Sequence, residues 1–149
     1  MRLIKSSFEV LPQAPGLKGL YKQIEIGARN CYKSEDKITE DSAEKMVEFL
    51  KARSHYSPLE HGTVYLKIPR KTGPHELYYN NNYSKVNFFD SFAYITTNYR
   101  VLIENNWLED LQYLCEPTEH HEKRVSVMVT CAIGISREFN RHKICALYQ

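Results

Sequence analysis

The chain predicts an α+β fold, mainly an antiparallel sheet flanked by helices, on three observations. Apolar residues recur at helical spacing over 17–28 and again over 43–50, whereas 62–68, 92–97 and 124–131 alternate or run rich in β-formers. The two kinds of segment mix without a regular βα rhythm. That disfavours a doubly wound parallel sheet.

Taken in order, Leu3 to Leu11 is β-rich and is closed by Pro12 and Pro15-Gly16. Leu17, Leu20, Tyr21, Ile24 and Ala28 then mark one face of a helix. After a polar break at Lys33 to Lys37, Thr39 and Asp41 offer N-caps and Glu44 lies three residues beyond Asp41, as in a capping box. Ala43, Met46, Val47 and Leu50 form the apolar stripe of the helix that follows, over about 40 to 53. It ends before His55, because Pro58 disfavours helical geometry at Ser57 and sets up a turn. The next strand, 62 to 68, places Val64, Leu66 and Ile68 on one face.

Residues 69 to 90 hold Pro69, Gly73, Pro74 and the run Asn80-Asn81-Asn82, and read as a long excursion before a strand at 92–97. Leu102, Ile103, Trp107, Leu108, Leu111 and Leu114 predict one or two short helices packed on the core. Arg124 to Cys131 alternates Val125, Val127 and Val129 with polar or small residues, a strand leading into an Arg-rich helix.

Length and composition bound the function. With 149 residues, 42% of them hydrophobic, the chain fits one domain with one core. A net charge of +2 argues against an extended nucleic-acid surface, but local clusters can still take a small anion. Four scattered cysteines without a Cys-x-x-Cys pair indicate neither a zinc site nor a disulfide framework, which suits a reducing cytoplasm. Six histidines include His120-His121, but neighbours on a strand face opposite ways and no His-x-x-x-His pair exists, so no metal is expected. No apolar signal segment opens the chain and no run of eighteen apolar residues occurs, so neither secretion nor membrane spanning is predicted.

Two clusters carry chemistry. Ser136-Arg137-Glu138-Phe139-Asn140-Arg141-His142-Lys143, read as a helix, sets Arg137 and Arg141 four residues apart with Glu138 on the same side. Guanidinium forks on such a face grip phosphate oxygens in pairs, and a carboxylate can hold the fork or accept from a base. The same spacing fits a solvated charged face. Upstream, His55-Tyr56-Ser57-Pro58-Leu59-Glu60-His61 leads directly into the strand at 62–68. His61 could cap that turn, and a His-Glu pair is common without catalysis.

A His-x-Ser-Pro-hydrophobic-Glu-His element before a strand, followed later by a helix carrying Arg-His-basic, resembles the flavin-dependent thymidylate synthases, the thymidylate synthase-complementing proteins. The resemblance starts near Gly27-Ala28-Arg29-Asn30-Cys31-Tyr32 and covers most of the chain. It implies FAD-dependent methylation of dUMP to dTMP, with methylenetetrahydrofolate and NADPH as co-substrates, in a homotetramer whose sites draw on several subunits. By motif position it implies catalytic roles for His55 and Arg141. It also implies flavin contacts from Ser57, Glu60, Arg141, His142 and Lys143, and dUMP contacts from Glu138, Arg141 and Gln149. Cys31 matches a small hydroxyl position but suits a buried apolar role, and Arg100 suits a surface one.

The chain departs from the family signature, Arg-His-Arg, two residues, Ser, one residue, Asn-Glu, one residue, Ser, one residue, Arg-Tyr. Here Lys143 replaces Arg, Ala146 replaces Ser, Tyr148 replaces Asn, and Gln149 stands where the acid is expected. A lysine keeps the charge but loses the two-pronged hydrogen bond. Against the family, 1–149 reads as a single domain and as the N-terminal two-thirds of such an enzyme, with 69–90 an insertion and weak or no turnover expected. Two other readings stay open: a non-catalytic nucleotide- or flavin-binding paralogue, and an interaction protein whose basic helix faces solvent or a partner.

Overall fold

The structure, a computed structural model, describes residues 5–71 and 73–139, without the side chains of 137 and 139. Helices and antiparallel strands mix as an α+β fold requires. In chain order the elements are β1 (Ser7–Leu11), α1 (Gly16–Tyr32), α2 (Ser42–Ala52), β2 (Thr63–Pro69), β3 (Lys85–Phe89), β4 (Phe92–Asn98), α3 (Tyr99–Glu104), β5 (Ser126–Thr130) and α4 (Ile133–Phe139). Single 3-10 turns occupy Glu35–Lys37, Ser57–His61, His75–Asn80 and Leu108–Tyr113.

One sheet has the order β2-β4-β3, with Leu66 opposite Ile95 and Ile95 opposite Val86. Strands β3 and β4 join through Asp90-Ser91, and Asp90 takes a φ of 52°, the left-handed geometry that a two-residue hairpin turn demands. Helices α1 and α2 pack over the inner face of this sheet. Their stripes, Leu20, Ile24 and Ala28 from α1 and Met46, Val47 and Leu50 from α2, meet Val64, Leu66, Ile68 and Ile95 in one core. Each such side chain removed from water contributes roughly 1.5–3 kcal/mol. Gln13 extends the sheet: its amide donates to the Thr63 carbonyl at 2.8 Å and its oxygen accepts the Thr63 N–H at 2.9 Å, as a strand partner would.

Helix α2 begins differently from the capping box expected at Thr39 and Asp41. Asp41 holds the N-cap position but makes no side-chain cap bond. Instead Ser42 Oγ accepts the Thr39 N–H at 2.8 Å and donates to Glu25 Oε2 at 2.9 Å. The reason is the buried Glu25 carboxylate of α1, which is only 1% exposed and needs donors. Arg29, one turn on, supplies the rest at 3.1 Å.

The long excursion 69–90 carries ordered structure, the 3-10 turn His75–Asn80 and strand β3. Tyr78, within it, is fully buried and donates to Asp110 Oδ2 at 2.7 Å, and Ser84 bonds Thr97 at 2.8 Å. Pro69, Gly73, Pro74 and Asn80 to Asn82 bracket the ordered pieces. Strand β3 is an edge strand with mostly exposed positions, and its alternation, Lys85-Val86-Asn87-Phe88, is short and lies inside the turn-rich stretch.

Strand β5 forms where the valines alternate, but it pairs only with β1, away from the main sheet. Val125, Val127 and Val129 are therefore 67%, 46% and 48% exposed. His120 and His121 lie in a turn, not on a strand. His121 is a buried strut: its Nδ1 accepts the Thr118 N–H at 3.0 Å, so its Nε2–H donates to the Leu66 carbonyl at 3.1 Å. Burial, with His120 beside it, holds its pKa below the usual histidine value and keeps it neutral. His120 stacks on Phe89 with ring centres 4.0 Å apart. Among the described residues no helix is long and apolar enough to cross a membrane.

Candidate functional site

The segment 55–61 owes its placement to how α2 stops. Ser54 enters the left-handed region at φ 53°, the Ser54 N–H donates to the Lys51 carbonyl at 3.0 Å, and the His55 N–H donates to the Leu50 carbonyl at 2.9 Å. These are the two bonds of a Schellman cap, which turns the chain sharply away from the helix axis. Pro58 then occupies the first turn of the 3-10 segment, where its missing N–H costs nothing. Pro58 and Leu59 are buried and anchor the turn, whereas His55 is exposed and Ser57 and Glu60 are half-buried.

Two neighbours grip the turn. Helix α1 approaches so closely that a Cβ at Gly27 would lie 2.4 Å from His61 Cδ2, and one at Gly62 would lie 2.8 Å from Ile24. Only hydrogen fits at either position. On the other side the Tyr99 N–H donates to the Gly62 carbonyl at 2.9 Å, fixing the start of α3. Asn98 caps that helix by accepting the Val101 N–H at 3.0 Å.

Helix α3 thereby presents Arg100 to the turn. Its guanidinium pairs with Glu60 and, through Nε at 2.8 Å, with Glu104. These bonds more than offset the desolvation of Arg100 and raise its pKa. Arg100 is thus a structural partner of the motif carboxylate and not an isolated surface residue. Burial against α1 pushes the His61 pKa down to about 4, so this ring is neutral near pH 7. It packs on α1, and does not merely cap the turn.

His55 faces outward with one defined partner. Its Nδ1 lies 2.6 Å from the Tyr32 hydroxyl, and the two rings meet edge to face at 5.9 Å. Tyr32 is the last residue of α1, twenty-three positions before His55, and no sequence pattern pairs them. Cys31 beside it is half-buried, and burial raises its thiol pKa. A half-buried thiol is a less complete apolar plug than the small buried group expected.

Of the predicted site residues, His55, Ser57 and Glu60 share this one turn, with Tyr32 and Arg100 added to it by the fold. Glu138 lies on α4 and is exposed. Arg141, His142, Lys143 and Gln149 lie outside the described residues. The arrangement offers an exposed imidazole oriented by a phenol, a hydroxyl one turn away, and a carboxylate already neutralised by a guanidinium. Scanned against family models, characterised proteins and solved structures, the chain matches none.

Proposed function

We propose that this chain belongs to a flavin-dependent thymidylate synthase, with the corresponding α+β fold, that methylates dUMP to dTMP using methylenetetrahydrofolate and NADPH. The observation that carries the reading is the turn His55-x-Ser57-Pro58-Leu59-Glu60-His61. It keeps the motif's buried residues as anchors and leaves its imidazole outermost. A turn held only for stability has no need of an exposed, hydrogen-bonded histidine at its tip.

The donor set suits one edge of FAD. His55 and the Ser57 hydroxyl would face the ring system, and Glu60, held by Arg100, would order the turn beneath them. FAD supplies the hydride chemistry when bound. The protein's part is to position: Tyr32 restrains the His55 ring, and α1 fixes the depth of the turn through Gly27. Arg141, His142 and Lys143 would add cationic contacts to flavin and nucleotide, and Glu138 and Gln149 polar contacts to dUMP. The active assembly would be a homotetramer in the cytoplasm.

A second reading is favoured by Lys143, Ala146 and Tyr148, which weaken the signature: a paralogue that binds flavin or nucleotide without turnover. Two measurements separate the cases. Flavin absorbance of the purified protein that His55→Ala and Arg141→Ala reduce, with tritium release from labelled dUMP, supports the synthase. Turnover by 1–149 is expected to be weak, so any tritium release above background supports the synthase. Bound flavin that dUMP does not perturb supports the paralogue, and a colourless protein that takes up neither added FAD nor dUMP defeats both.

A further inference from the structure

The end of α1, the segment 34–37 and α2 line an open surface cavity of about 410 Å³. That volume lies in the range of small-molecule sites. Its walls carry three cations, Arg29, Lys37 and Lys45, and two hydroxyl-bearing residues, Tyr32 and Ser34. Met46 and Phe49 supply an apolar side. No carboxylate lines it. The acids nearest in sequence, Glu35, Asp36, Glu44 and Glu48, are exposed outside the lining.

The charges are unequally committed. Arg29 is neutralised by the buried Glu25 at 3.1 Å. Lys37 and Lys45 enter no ion pair among the described residues, although Lys18 and Lys51 do. Two ammonium groups without an ion-pair partner on the walls of one cavity can jointly hold an anion seated between them. Lysines act as point-charge phosphate binders, and hydroxyls complete the oxygen shell. Phe49 is 41% exposed although the Arg53 guanidinium already lies 4.5 Å from its ring centre, and Met46, 8% exposed, lies in the wall with it. An inorganic ion would leave this apolar side wet.

We infer that this cavity is a binding site for a phosphate monoester carried on a flat aromatic body, with Lys37 and Lys45 as the phosphate grip and Met46 and Phe49 as the seat of the ring. The inference shares with the flavin reading only Tyr32, whose hydroxyl is bonded to His55, and it goes beyond that reading.

Phenyl phosphate is the probe, followed by calorimetry or by amide shifts in NMR, with inorganic phosphate and phenol as its two halves. Phenyl phosphate should bind saturably below roughly 10 mM. Inorganic phosphate should bind about tenfold more weakly, and Lys37→Glu and Lys45→Glu should each weaken phenyl phosphate by about tenfold or more. Both lysines are exposed, so the variants fold, and an unchanged circular dichroism melt verifies it. Phe49→Ala should erase the advantage of phenyl phosphate over phosphate. Absence of saturation, or lysine variants that bind like the parent, overturns the site, and equal affinity for phosphate and phenyl phosphate overturns its aromatic half. Arg141→Ala, which removes a contact of the flavin and dUMP reading, should leave this binding unchanged, so a failure here and a failure of the flavin reading are told apart.

Discussion

Acid should unfold this protein partly through one histidine. His61 is driven down to a pKa of about 4 by burial against α1, from an ordinary value of 6.5. The folded state therefore binds this proton less readily than the unfolded chain, so stability rises with pH across that interval. The contribution is fully present above about pH 6.5 and is lost as pH falls toward 4. At roughly 1.4 kcal/mol per tenfold difference in proton affinity, the whole gap corresponds to about 3 kcal/mol. About 2 kcal/mol of that falls between pH 7 and 4.5, a large part of a typical domain's stability. Urea unfolding at several pH values reads it directly. His121 acts in the same direction and carboxylates titrate nearby, so the comparison is with His61→Gln, whose own stability curve should be flatter by about 2 kcal/mol over the same range. Parallel curves for parent and variant would refute the assignment of the acid response to His61.

Gly27→Ala should cost about 1–2 kcal/mol net, because the new methyl collides with the His61 ring and overrides the better helix propensity of alanine. Pairing it with His61→Ala should return most of that loss in a double-mutant cycle. Leu59→Ala, removing a fully buried anchor, should lower stability in denaturant titration by about 2–5 kcal/mol and loosen the turn that carries His55. Tyr78→Phe leaves Asp110, itself buried, without its donor, and thermal or urea unfolding should show a loss of about 1–3 kcal/mol. That result would also show that 69–90 is an integral part of the fold.

Local pattern made much of the fold legible in the sequence. The stripe Leu20, Ile24, Ala28 and the stripe Met46, Val47, Leu50 are both core faces, and Val64, Leu66 and Ile68 are all fully buried. The helix does end before His55, although a Schellman cap at Ser54 ends it and Pro58 only opens the 3-10 turn that follows, and the short helical pieces after residue 98 are present. These are effects of spacing and of φ restriction within a few residues, so a linear reading captures them. For the site, the turn motif and its order along the chain were equally visible, as a resemblance.

Tertiary contact alone decided the rest. No periodicity marks Glu25 as a buried carboxylate, and its demand for donors is what displaces the expected capping box. Tyr78 finds its partner thirty-two residues away, and β3 lies at a sheet edge that leaves Phe88 and Phe89 exposed. The valines of β5 alternate as a core strand's would, yet β5 pairs with β1 and leaves them in solvent. Tyr32 on His55 and Arg100 on Glu60 depend on where three helices come to rest. Sequence spacing sets which side chains share a face. Which face is covered, and which charge meets which, is set by contacts between segments far apart in the chain, whose energy no local pattern records.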